Sequence, residues 1–94
     1  MTEGKKFDQD KLPLELIDWT HITEIAEILQ LGKEKYGPNN WKQLANPEDR
    51  YFAAAMRHLI LWRQGEMVDA ESGKSHLAHA ACNLMFLSYF ERDR

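Results

Sequence analysis

Cysteine is almost missing from this chain. Cys82 stands alone among 94 residues, so no internal disulfide can form and a reducing compartment, the cytoplasm, is expected. Long apolar runs are missing as well. Nothing approaches the roughly 20 residues that span a bilayer, and Met1-Thr2-Glu3-Gly4-Lys5-Lys6 lacks the apolar stretch of a secretory leader. No membrane partner is expected. Nor is there a surplus of positive charge: 12 Lys and Arg against 15 Asp and Glu leave a net −3, with a pI near 5.8. That argues against duplex nucleic acid, whose phosphates need a basic surface. The chain carries no P-loop, Rossmann glycine pattern, CxxC or HExxH motif and no nucleophilic triad. Repeats, low-complexity tracts and long heptad runs are also absent.

What is present fits a folded domain. The chain is 44% hydrophobic and 29% charged, which excludes a disordered class, and its length suits one domain over residues 1–94. A domain this short buries only about 60–65% of its unfolded surface. It nevertheless holds ten aromatics (three Trp, three Tyr, four Phe), so a homo-oligomer is expected to complete the core.

Hydrophobic spacing predicts an all-α fold, a small bundle of three main helices. Ile22, Ile25, Ala26 and Leu29 follow the i, i+3, i+4, i+7 rule over about 20–36, and Gly37-Pro38 ends that helix. A second helix over about 47–64 starts at the N-cap Asn46 and Pro47, with Glu48 and Asp49 at its positive end. Its apolar positions are Tyr51, Phe52, Ala55, Met56, Leu59 and Ile60. A third, over about 72–91, begins near Ser72 or Ser75 and presents Leu77, Ala80, Ala81, Leu84, Met85 and Leu87. Small Ala80 and Ala81 would admit a close neighbour. Residues 12–17 suit a short turn after Pro13, and residues 1–11 read as extended or mobile.

The connections and the third helix carry the candidate chemistry. Lys33, Lys35 and Lys42 surround Tyr36, Asn39, Asn40 and Trp41. Ammonium groups meet phosphate, a ring stacks on a base, and amides match base edges or sugar hydroxyls. The alternative is a solvated helix end with Trp41 in the core. Arg50 and Arg57 share one helical stripe and would converge on an anion. His58 points inward and then needs a partner such as Asp69 or Glu71, either in a site or as a structural histidine. His76, His79 and Asn83 stack on one helix face that continues to Phe86 and Phe90. With Asp69 and Glu71 just upstream, they suit a divalent ion, an acid–base network, or a hydrogen-bonded seam that fixes helix register. Glu24 and Glu27 form an ExxE pair of the kind that binds metal in bundle enzymes, and equally of the kind found on exposed faces. Cys82 sits in an apolar stretch and reads as a small hydrophobe.

Taken in order, these residues resemble a known family. The string is Lys6-Phe7-Asp8 with Lys11 and Pro13; Gly32-x-x-Lys35-Tyr36-Gly37 with Asn40-Trp41; Arg50-Tyr51 leading to Ala55-x-Arg57-His58-Leu59; and Gly65-Glu66-x-x-Asp69-x-Glu71-Ser72-Gly73-x-x-His76-Leu77-x-His79-Ala80. It resembles the phage-associated dATP/dGTP diphosphohydrolase N-terminal domains over about residues 5–88. That family looks related to the all-α NTP pyrophosphohydrolases of the MazG-like superfamily. The resemblance implies helical oligomers in which clustered acids hold Mg²⁺ or Mn²⁺ against a nucleotide triphosphate, while Lys and Arg steady the developing charge. In those relatives a second acidic pair stands where this chain has His76-x-x-His79, and imidazoles are poorer Mg²⁺ ligands than carboxylates.

Two functional expectations follow. One is a Mg²⁺- or Mn²⁺-dependent pyrophosphohydrolase of purine deoxynucleoside triphosphates in the cytoplasm of an infected cell. Glu71, His79 and His76 would be catalytic, Asp69, Glu71, Glu24 and Glu27 would bind metal, and Lys33, Lys35, Tyr36, Asn40, Trp41, Arg57 and His58 would hold the nucleotide. The other is an anti-defence sponge: an oligomer that sequesters a cyclic-nucleotide or ADP-ribose-type immune signal without cleaving it, and with no metal. A helical module without a ligand is the third and plainest option.

Overall fold

In the computed structural model, residues 10–92 are described. Three α-helices carry the fold: α1 over Trp19–Tyr36, α2 over Pro47–Arg63 and α3 over His76–Glu91, with 3-10 turns at Leu14–Leu16 and Asn40–Gln43. No strand occurs among the described residues; one isolated bridge joins Val68 and Ser75. The architecture is all-α, as the spacing predicts. Most of the extended segment expected at the start, including Lys6, Phe7 and Asp8, lies outside the described residues.

Local chemistry sets each boundary. Asp18 caps α1 by accepting the Thr20 N–H at 3.0 Å, so the helix opens slightly earlier than its apolar pattern. Gly37, at φ +91°, closes it with an N–H donated to the Lys33 carbonyl at 2.8 Å. Pro47 occupies the first turn of α2, with Glu48 and Asp49 beside it, where their charge complements the helix dipole. Asn46 acts differently from the cap its residue type suggests. It sits in the left-handed region at φ 52° and makes no side-chain cap bond, so its role is to turn the chain, which asparagine tolerates well.

Of the two starts the sequence offers for the third helix, Ser75 is the one used, and the helix begins at His76. Asp69 accounts for the choice: its carbonyl accepts the Gly73 N–H at 2.8 Å and its carboxylate accepts the Ser72 N–H at 2.9 Å. The loop is thereby tied into a turn, and its residues cannot join the helical ladder. Ser75 then becomes the cap, its Oγ accepting from the Leu77 and Ala78 amides at 3.1 and 3.3 Å. Ser75→Ala is expected to lower unfolding free energy by about 1 kcal/mol, read from the midpoint of a urea transition.

Helix α3 is the centre of the molecule, with α2 packed along it and α1 crossing it more lightly. Ala55, Ala78, Ala80 and Cys82 are buried at this contact, and their small side chains let the helices approach. Burial pushes the Cys82 thiol up to about 11, which leaves it a hydrophobe rather than a nucleophile. One end is closed by aromatics. Trp41 stacks on Phe86 with centroids 4.5 Å apart, Tyr51 tilts against Phe86 at 4.7 Å, and the Tyr51 hydroxyl donates to the Trp41 carbonyl at 2.7 Å.

The predicted apolar stripes are only partly buried: Tyr51, Ala55 and Ala80 are in the core, while several larger members are exposed. Within this chain α3 buries His76, Ala78, Ala80, Cys82 and Asn83 and leaves Leu77, Leu84 and Met85 exposed. On α2, Phe52, Met56 and Ile60 are exposed, and on α1 Ile22 and Ala26 are. The reason lies in α3 itself. It is apolar on nearly every side, so spacing alone cannot say which side its two neighbours take.

Candidate functional site

Two adjoining cavities share Ile28 and Gly32 on α1. The first, about 600 Å³, is walled by Lys33, Tyr36, Asn39, Asn40, Trp41, Arg50 and the aromatic end of the core. The second, about 590 Å³, is walled by Lys35, His58, Asp69, Glu71, Ser72 and His79. Each is within the range of pockets that enclose small molecules. Gly32 lies mid-helix, and no atom comes within 4 Å of where its Cβ would stand.

In the first cavity the residues available to a ligand differ from those of the structural shell. The Tyr36 ring is 62% exposed and lies under the Lys35 ammonium at 5.4 Å. Trp41 is committed to the core: besides stacking on Phe86 it meets Tyr89 edge-on at 5.0 Å, and Lys42 sits over it at 5.3 Å. Trp41 therefore forms a wall, and Tyr36 is the ring left free to stack.

The second cavity is built on a chain of polar contacts between α2, the loop and α3. Ser72 Oγ accepts the Lys74 N–H at 3.1 Å and shares a hydrogen bond with His79 Nε2 at 2.7 Å, which it donates when the imidazole carries its hydrogen on Nδ1. The His79 ring stacks on His58, centroids 4.4 Å apart and 7° from parallel. His58 Nδ1 faces His76 Nδ1 at 2.9 Å, and His76 Nε2–H donates to Glu66 Oε2 at 2.6 Å. Burial, with neighbouring imidazoles acting in the same direction, holds His58 and His79 below the ordinary histidine value. Both rings are therefore neutral near pH 7. Burial pushes the Asp69 carboxyl up, but the Ser72 backbone and side-chain hydrogen bonds bring it below its usual range. Lys35 binds Glu71 at 3.1 Å across the rim, and that hydrogen bond raises its pKa.

The sequence-predicted residues divide clearly. Lys33, Tyr36, Asn40 and Trp41 meet in one cavity, and Lys35, His58, Asp69, Glu71 and His79 in the other. Arg57 is exposed and lines neither, whereas Arg50 lines the first. His76 is completely enclosed and stands behind the wall. The four carboxylates named for Mg²⁺ do not converge. Glu27 is engaged by Lys74 at 3.5 Å, Glu71 by Lys35, and Glu24 lines neither cavity. Among the described residues, the group whose ligand atoms gather within 4.8 Å is His58, Asp69 and His76, a set that could hold a metal ion. Periodicity gives no reason to single out Glu66 or Ser72; both act through loop geometry that spacing does not encode.

No helix among the described residues is long and apolar enough to cross a membrane. No solved structure matches the chain. A relative from Salmonella phage PMBT28, named dATP/dGTP diphosphohydrolase, is 41% identical over 91 residues, covering 97% of this chain and 31% of its own length. This chain thus spans about a third of that relative. The family described as "dATP/dGTP diphosphohydrolase, N-terminal" matches residues 1–94, and the chain belongs to it.

Proposed function

We propose that this domain binds a purine deoxynucleoside triphosphate across the two cavities and supports its hydrolysis to a monophosphate and pyrophosphate. The observation that carries the reading is the division of chemistry on either side of Gly32. Tyr36, Asn39 and Asn40 offer stacking and amide contacts in one cavity, and Lys35 and His79 offer charge and proton transfer in the other. Lys33 and Arg50 supply further cations beside the first group.

In this reading the base lies against Tyr36 and the phosphates extend past Gly32 towards Lys35. Water attacks the α-phosphorus, its proton passes to His79 Nε2, and the bond to pyrophosphate breaks. Ser72 holds the imidazole in the neutral form with Nε2 open as an acceptor until water replaces the hydroxyl. The separated carboxylates do not fit a Mg²⁺ cluster, so no step here runs through one.

One observation favours a second reading. Glu71 is 80% exposed and paired with Lys35, so it is engaged away from the metal-binding role that cleavage would ask of it. A sponge for a cyclic-nucleotide or ADP-ribose-type signal fits that feature. Incubation with dATP and dGTP plus divalent ions, with products resolved by chromatography, separates the two. Monophosphate and pyrophosphate are expected. Intact nucleotide recovered from a tight complex would favour sequestration, and the absence of both turnover and binding would remove both readings.

A further inference from the structure

We infer that His58, Asp69 and His76 form a resident site for a borderline divalent transition ion, of the Mn²⁺, Fe²⁺, Co²⁺ or Zn²⁺ class, held by two imidazole Nδ1 atoms and one carboxylate. The inference does not depend on the nucleotide being hydrolysed. Its first support is spacing. With metal–nitrogen bonds of about 2.0–2.1 Å, two donors at a right angle stand about 2.9 Å apart, and two at a tetrahedral angle about 3.4 Å. His58 Nδ1 and His76 Nδ1 are 2.9 Å apart, close enough to serve one ion, and three protein ligands leave further positions open. Because His58 and Asp69 line the second cavity and His76 does not, those open positions face the cavity.

The second support is the outer shell. Metal-binding histidines commonly give their other N–H to a carboxylate, which fixes the ring and raises its basicity. Glu66 does this for His76 at 2.6 Å, and the Ser72 amide steadies the Asp69 carboxylate at 2.9 Å. On loading, the hydrogen between the two Nδ1 atoms moves to His58 Nε2, so that both lone pairs meet the ion. Donor chemistry then sets the class, since Mg²⁺ and Ca²⁺ prefer oxygen whereas a two-His, one-carboxylate set suits transition ions.

The test is calorimetric titration of chelator-treated protein with Co²⁺, Zn²⁺, Mn²⁺ and Mg²⁺ in the absence of nucleotide, with the visible spectrum of the Co²⁺ form. Expected are one tightly held ion per chain, the visible bands of bound Co²⁺, and Mg²⁺ affinity lower by at least about tenfold. His58→Ala and Asp69→Asn should abolish the binding, and Glu66→Gln should weaken it about 10–100-fold. His21→Ala, outside the cluster, should leave it unchanged. Glu66 is half-exposed at 51%, so its variant retains the readout should a buried substitution unfold the chain. Failure of Co²⁺, Zn²⁺ and Mn²⁺ alike to bind, or equal affinity in the Glu66 and Asp69 variants, would overturn the assignment.

Discussion

His79→Gln is expected to reduce pyrophosphate release from dGTP by about 10²–10⁴-fold, the range for loss of a general base, while KM changes little. The imidazole is placed from three directions: the Ser72 hydroxyl at Nε2, the His58 ring across its face, and the helix beneath it. Glutamine keeps a hydrogen-bonding group near Ser72 but cannot accept a proton from water. The helix should survive, because Asn83 Nδ2 donates to the backbone carbonyl of residue 79 at 2.9 Å, a bond the substitution leaves in place. Steady-state assays on folded protein, checked by circular dichroism, read the result. Turnover within a few-fold of the parent would remove His79 from the chemistry.

The second large effect concerns self-association, with a second copy of this chain as the proposed occupant of the open faces. The Cα radius of gyration is 16.7 Å, against about 12 Å for a compact domain of this length. Phe52 is 59% exposed and Leu84 55%, and α3 is too apolar throughout to be a solvent-facing helix. Light scattering is expected to give a dimer or larger particle. Phe52→Asp with Leu84→Asp should raise the dissociation constant by a factor of roughly 30 or more per site, the scale of an interface hot spot. A monomeric parent would sink the proposal.

Helix number and approximate limits were legible because stop and start residues act locally. Gly37, Pro47 and Gly65 need no tertiary partner to exert their effect. Which faces are buried was not legible, because α3 is apolar on most sides and turns its polar residues His76 and Asn83 inward. The lysine–tyrosine–asparagine cluster around Lys33–Asn40 could be read from the sequence; Lys33, Tyr36, Asn39 and Asn40 line one cavity, whereas Lys35 lines the other. The histidine chain could be read only in part. His76 and His79 share a helix, but whether each faces a ligand or another helix depends on where α2 places His58. The roles of Glu66 and Ser72 depend on a loop fold fixed by backbone bonds to Asp69 and Met67.

Gly32 bears on how far this domain can be stabilised. A glycine inside an α-helix costs about 1 kcal/mol relative to alanine, because the unfolded chain gains freedom. No positive φ requires glycine at this position, and no neighbour crowds the space a methyl group would fill. What its missing side chain provides is width at the seam between the two cavities. The fold thus accepts a softer α1 in return for an unobstructed floor, and thermal robustness and ligand room are set against each other at a single hydrogen atom.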